Sequence, residues 1–454
     1  MIWLYRLLFP PLLLIVLPYY LFRMIKRGGY RQNFLHRFGL IGAAPKGSPE
    51  IRRIWIQAVS VGEVLAVEPL LQDLARDQGT EIVLTTTTST AYRLACDRFA
   101  EETVAIGYFP LDFQPFSATA WNRIAPDLAI LMENELWPEH IHQASRRKTP
   151  IALVNARLAD RSYNIYRHIP SFTRAILAPF RAVLAASDGD AQRFVAVGAD
   201  PSVVITTGNL KLDAAIDPLL STDEIDSLKS DLGFTPTRAV STSHAQPHAF
   251  PLIILGASTW PGEEAALVSL LKEALARDVD YRLLLVPRHA ERRASIEAEL
   301  AATGLTFHFR SRGVRAPAPV MVHVADTTGE LATLTQCADV VFVGKSLPPH
   351  TGGQTPVEAA ALGKPVIFGP GMDNFREISR DLVARGAALS VSSAGDLAPA
   401  ALRLLGDPGE REKMSVAARK WHRANHGVAE RIRDAIDSVV PVCARMPANH
   451  RTNG

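Results

Sequence analysis

The amino-acid sequence predicts an α/β protein of two doubly wound domains facing a cleft, with an N-terminal membrane anchor ahead of them. Three observations lead there. Short apolar, β-rich runs alternate with helical stretches from Ile54 onward, the signature of a parallel sheet covered on both faces. The alternation breaks between Leu212 and Phe250 and then restarts. Leu7 to Phe22 is an uncharged, mostly apolar run of sixteen residues.

That run comes first in the chain. Arg6 precedes it, and Arg23, Lys26, Arg27, Arg31 and Arg37 follow. It falls short of the ~20 apolar residues a helical span needs, and Pro10, Pro11 and Pro18 are expected to interrupt a helix. It ends in basic residues rather than in a small-residue cleavage site, which argues against a signal peptide. A short bitopic anchor and a segment lying in one leaflet both remain open. In either, the cations belong on the cytoplasmic side, against anionic headgroups. The first 49 residues carry seven basic side chains and no acid.

In the body, expected strands are Ile54–Ala58, Glu81–Thr85, Leu128–Met132, Ile151–Val154 and Val183–Ala186, then Leu252–Gly256, Tyr281–Val286, Val320–Val324, Val340–Val343 and Pro365–Phe368. Between the two sets, a stretch rich in Asp, Ser, Thr, Pro and His predicts a linker with an insertion at Ser241–Phe250. The division is therefore an anchor over 1–27, a first domain over 28–213, a linker over 214–250, a second domain over 251–405 and a closing helix over 406–440. Ligands of such sheets bind outside the carboxyl ends of the strands.

Composition narrows the function. A chain of 454 residues with 47% hydrophobic and 21% charged side chains is globular, with two to three domains. A net charge of +3 is too small to point to nucleic acid. Three widely spaced cysteines exclude a disulfide framework and favour a reducing compartment, and the thirteen histidines show no metal-ligand spacing.

Candidate chemistry lies at strand ends. Glu63 follows the first strand; it suits a general base, and Ser60-x-x-Glu63 equally suits a capping box. Glu133 and Glu135 follow the strand Leu128–Met132, in a loop that either holds a cation or a polar substrate or is simply solvated, with Trp137-Pro138 packed beneath it. Lys211 could reach an anion or stand as a surface lysine. Ser258 and Thr259 open the turn Gly256–Glu264, whose free amides suit a phosphate. Pro287 and Arg288 end a further strand, where Arg288 could neutralise a nucleotide phosphate. Thr328, Gly329 and Glu330, and Thr355, Pro356, Val357 and Glu358, lie in glycine-rich loops with capping-box spacings at Thr327/Glu330 and Thr355/Glu358. Glu358 could accept from ribose hydroxyls.

Taken together and in order, Ser60–Glu63, Thr85–Thr88, Glu135–Pro138, Asn155–Leu158, Gly208–Asp213, Ser258–Glu264, Val286–His289, Asp326–Leu331 and Gly352–Glu358 resemble the 3-deoxy-D-manno-octulosonic acid (Kdo) transferases of lipopolysaccharide assembly. The resemblance runs from the N-terminal segment to about residue 390. It implies two Rossmann-like domains of the GT-B type and an inner-membrane enzyme with its catalytic domains on the cytoplasmic face. It further implies inverting, metal- and cofactor-independent transfer from CMP-Kdo to a lipid A precursor (lipid IVA). In that resemblance Glu63 is the general base, Lys211 and one of Glu133 or Glu135 support the transition state, and Pro287–Arg288, Thr328–Glu330 and Thr355–Glu358 hold CMP. A GT-B transferase using a UDP-sugar and another lipid-linked acceptor is the alternative. The chain departs from the family pattern at Trp260-Pro261, Gly344-Lys345-Ser346 and Gln354-Thr355.

Overall fold

A computed structural model describes residues 2–27, 33–42, 50–213, 219–235, 250–277 and 279–439. The chain divides into two compact units: Met1–Ala214 with Gly427–Gly454, and Ala215–His426.

The first unit is built on a parallel sheet of β1 (Arg52–Gln57), β2 (Thr80–Thr86), β3 (Ala105–Tyr108), β4 (Leu128–Met132), β5 (Ile151–Ala156), β6 (Phe180–Ala185) and β7 (Val204–Thr206). Their spatial order is β3-β2-β1-β4-β5-β6-β7. The order reverses between β1 and β4, which makes that pair the topological switch point. The central strands are buried on both faces, as continuous runs such as Leu128-Ala-Ile-Leu-Met132 require. Trp55, Val83, Ile130, Leu153 and Val183 fill the core beneath the flanking helices.

The second unit repeats the plan with β8 (Leu252–Thr259), β9 (Tyr281–Pro287), β10 (Phe307–Phe309), β11 (Val322–Val324), β12 (Val340–Val343), β13 (Val366–Phe368) and β14 (Ala388–Ser390). Its order is β10-β11-β9-β8-β12-β13-β14, again all parallel, with the switch between β8 and β12.

The four strands absent from the sequence reading are β3, β7, β10 and β14, and these are the two edges of each sheet. Edge strands are short and partly exposed, so they carry no continuous apolar run.

Two expectations are corrected. The single closing helix over 406–440 is two helices, Pro408–Asn425 and Val428–Val439, separated at Gly427, which takes φ 82°. The second of these belongs to the first unit. It buries Val428, Ile432 and Ile436, four residues apart on one face. Asp213 accepts its Gly427 and Ala429 amides at 2.9 and 2.6 Å. The linker also contains structure: Thr222–Asp231 is a helix of the second unit, opened by a full capping box between Ser221 and Glu224. Residues 241–249 of the expected insertion lie outside the described residues.

The N-terminal run forms one continuous helix, α1 (Ile2–Arg27), with Pro10, Pro11 and Pro18 inside it, so the prolines do not interrupt it. Among the described residues no helix is long and apolar enough to cross a membrane. The start of α1 is bound to the first unit. The Arg6 guanidinium forks onto both Glu139 oxygens at 2.8 Å, and Tyr5 donates to Asp112 at 2.6 Å. The opposite face is bare: Trp3 and Ile15 are each 76% exposed and Leu7 71%. Arg37 does not face outward as its place in the basic cluster suggested. It is buried, donates to the Thr87 carbonyl at 2.7 Å and stacks on Tyr108. The side chains of Arg23, Lys26, Arg27 and Arg31 lie outside the described residues.

Candidate active site

Among the described residues, seven non-glycine residues adopt positive φ. Three of them, Asn33, Ala125 and Lys148, cap helices. The other four, Glu133, Asn155, Ser258 and Lys345, stand at the carboxyl ends of β4, β5, β8 and β12. Left-handed backbone is unfavourable for residues with a Cβ, and where it is kept it marks sites held by their surroundings.

In the first unit, β1 runs into α2 (Val61–Ala75) through Ala58-Val59-Ser60. Ser60 caps α2 and Glu63 answers it: Ser60 Oγ accepts the Glu63 amide at 3.3 Å, and the Glu63 carboxylate accepts the Ser60 hydroxyl at 2.9 Å and the Val59 amide at 2.8 Å. The capping arrangement is thus realised, reaching Val59 N–H rather than that of Ser60. Glu63 is only 8% exposed. Burial pushes its carboxyl above the ordinary carboxylate range, the Val59 amide opposes this, and the negative charge of Glu133 adds to it.

Across the switch point, Glu133 follows β4 at φ 53°. Its carboxylate lies 3.8 Å from Lys211 Nζ and 3.9 Å from the Arg157 guanidinium. Glu135 accepts the Trp137 indole N–H at 2.7 Å. Burial, then the charge on Glu63, pushes the Glu135 carboxyl up to about 7. Burial holds the Lys211 ammonium below its ordinary range, against the pull of Glu133. The four residues proposed from the sequence, Glu63, Glu133, Glu135 and Lys211, therefore form one electrostatically linked group. Two further members were not singled out: Arg157, and Asn155, whose buried side-chain oxygen accepts the Leu210 amide at 3.0 Å and holds the turn that carries Lys211. Both lie within Asn155–Leu158, and their position just at the end of a strand was the available signal.

In the second unit the sequence candidates divide. Arg288 is exposed at the end of β9, its amide donating to the Thr259 carbonyl at 3.1 Å, and its guanidinium has no ion-pair partner among the described residues. Thr328 and Gly329 are exposed, and Gly329 takes φ 87°. Glu358 is half-buried, its side chain has no hydrogen-bond partner among the described residues, and burial raises its carboxyl. Thr259 is buried and donates its hydroxyl to Glu264 at 2.8 Å, and Pro287, Pro356 and Val357 are buried too.

The amides expected to cradle a phosphate at Ser258–Glu264 are partly taken. The Glu263 carboxylate accepts the Trp260 amide at 2.9 Å and those of Lys345, Ser346 and Leu347 at 2.8, 2.9 and 3.1 Å. An internal carboxylate thus satisfies the group of N–H donors between β8 and β12. Neither of the other two capping-box spacings caps a helix. Glu330 is drawn to Arg310 at 2.7 Å and to the Thr327 hydroxyl, ahead of a helix that starts at Leu331. Thr355 Oγ1 accepts the Val357 amide at 3.3 Å.

Similarity to known proteins follows the same lines. Residues 312–421 match the glycosyl transferases group 1. A glycosyltransferase from Rickettsia africae superposes with a TM-score of 0.58 over 88% of this chain and 100% of its own, at 14% identity. A UDP-GlcNAc 2-epimerase from Neisseria meningitidis superposes with 0.57 over 85% and 100%, at 15% identity. At such identities the likeness is one of fold alone. Two doubly wound parallel sheets with these relatives define the GT-B fold.

Residues 32–214 match the 3-deoxy-D-manno-octulosonic-acid transferases. A 3-deoxy-D-manno-octulosonic acid transferase of Bordetella pertussis is 35% identical, covering 91% of this chain and 94% of its own length. The chain belongs to the 3-deoxy-D-manno-octulosonic-acid transferase family and acts as a Kdo transferase in lipopolysaccharide biosynthesis.

Proposed function

We propose that the protein transfers Kdo from CMP-Kdo to a lipid A precursor (lipid IVA) with inversion at the anomeric carbon and without a metal or other cofactor. The acceptor hydroxyl oxygen bonds to the anomeric carbon, the bond from that carbon to the CMP phosphate oxygen breaks, and the hydroxyl proton passes to Glu63. CMP leaves with the electron pair. The observation that carries this reading is the Glu63 carboxyl, buried at the switch point with its proton affinity raised by burial. Lys211, poised against Glu133, offsets the charge that gathers there. Arg288 takes the departing phosphate, Thr328 and Gly329 lie along the nucleotide, and Glu358 accepts from its ribose hydroxyls. The raised Glu135 carboxyl supports a second reading in which Glu135 shares the proton with Glu63.

The bare apolar face of α1 supports attachment to one leaflet of the inner membrane, with the catalytic units on the cytoplasmic side. The test is a transfer assay with CMP-Kdo generated in situ and detergent-solubilised lipid A precursor, read by mass spectrometry. Glu63→Gln should lose at least about 100-fold in transfer while CMP binding holds. Undiminished transfer would remove Glu63 from the role.

A further inference from the structure

Lys345 follows Gly344 at the end of β12, across the switch point from β8. Its backbone is clamped: the amide donates to Glu263 at 2.8 Å, the carbonyl accepts the Gly353 amide at 3.1 Å, and φ is 59°. Glycine would take that conformation without strain, so the main chain gives no reason for a lysine here. The side chain supplies one. Its ammonium lies 4.8 Å from the centre of the Trp260 ring. Trp260 is braced by His289 at 5.2 Å and His350 at 5.5 Å, and His350 donates to the Pro261 carbonyl at 2.8 Å. Among the described residues no carboxylate pairs with the Lys345 ammonium. Glu263 is engaged by main-chain amides on both oxygens. A Cβ at Gly352 would stand 3.5 Å from Nζ and 2.9 Å from the Asn374 amide nitrogen, so only glycine leaves room beside the ammonium.

On the other side of β8, Arg288 ends β9. Two cations without an ion-pair partner among the described residues thus follow the strands on either side of β8, and Trp260 follows β8 itself. A CMP-activated Kdo carries two anions, the phosphodiester and a carboxylate beside the reacting carbon. With Arg288 on the first, the second lacks a partner, and a compact ammonium held on an aromatic face suits a single carboxylate.

We propose that Lys345 binds the carboxylate of the donor sugar as a second cation of the donor site, an assignment that rests on the CMP-Kdo reading above. The test compares the full-length wild type with Lys345→Gly, Lys345→Gln and Lys345→Arg. It measures KM for CMP-Kdo, inhibition by CMP (which has no carboxylate) and thermal stability. Lys345→Gly and Lys345→Gln should raise KM at least about tenfold, the scale of a lost charge-assisted hydrogen bond, and leave the CMP inhibition constant within about twofold. Lys345→Arg should largely restore KM. Lys345→Gly should also melt higher than wild type, because it relieves the left-handed backbone; a purely structural lysine would not combine a gain in stability with a loss of donor affinity. Equal loss for CMP-Kdo and CMP would move the contact to the phosphate and overturn the assignment, as would an unchanged KM in Lys345→Gly. Absence of Kdo transfer by the wild type would overturn the donor reading itself.

Discussion

Asn155 and Lys211 are coupled through the main chain. The buried Asn155 side chain accepts the Leu210 amide at 3.0 Å, and the next residue is the lysine that sits 3.8 Å from Glu133. A residue 56 positions upstream (211 − 155) therefore fixes where the site's ammonium stands.

Asn155→Ala should lower both stability and activity. It leaves the Leu210 amide without its buried acceptor, a cost of about 1–3 kcal/mol. Thermal melting should report the loss, and kcat should fall further than stability alone explains, because Lys211 is no longer held. Asn155→Ala with wild-type kcat would show that Lys211 needs no such support.

Lys211→Met should raise the pKa on which the acidic limb of the kcat–pH profile depends. Lys211 favours the ionised form of Glu63, so its removal leaves burial and Glu133 less opposed. The measurement is the limb's midpoint in wild type and variant. A midpoint that stays put or moves down contradicts Glu63 as the titrating base.

Glu135 makes the protein less stable as pH rises. Its folded-state carboxyl titrates near 7, above the ordinary value of 4.5 it takes when unfolded, so the folded state holds the proton longer. Stability should fall as pH rises from about 4.5 to 7 and level off above that. Glu135→Gln retains an acceptor for the Trp137 indole and removes the charge. Its melting temperature should exceed that of wild type at pH 8 and approach it at pH 5.

Arg6→Ala should detach the start of α1. Glu139 is fully buried, and losing its forked partner leaves the carboxylate with the Gln143 amide as its side-chain donor, which should lower the melting temperature. Adding Glu139→Gln should recover much of that loss. On the outer face, Leu7→Asp with Ile15→Asp should weaken sedimentation with vesicles containing anionic lipid, while melting is unchanged. Undiminished sedimentation would remove α1 from membrane attachment.

The ten interior strands were legible because strands buried on both faces are written as continuous apolar runs, Leu128–Met132 and Val340–Val343 to the residue. The four edge strands were not, since half-exposed segments of three or four residues such as Val204–Thr206 leave no such trace. Capping spacings were only partly legible. Ser60/Glu63 and Ser221/Glu224 cap helices. At Thr327/Glu330 the carboxylate accepts from distant Arg310 as well as from the Thr327 hydroxyl, and neither side chain caps the helix that follows.

From the chain alone came the two-sheet plan, the placing of Glu63, Glu133, Glu135 and Arg288 at strand ends and of Lys211 near the end of the first domain, and the family resemblance. These depend on residue type and local period, which are written along the sequence. Only the tertiary structure decided that Glu63, Glu133, Glu135 and Lys211 share one field, that Arg37 is buried, and that Glu263 takes the Trp260 amide of the turn expected to hold a phosphate together with three amides after β12. It also put Lys345 over Trp260 with no counter-charge among the described residues. Each of these is a through-space relation between residues tens of positions apart, and burial and Coulomb energy depend on those distances rather than on order along the chain.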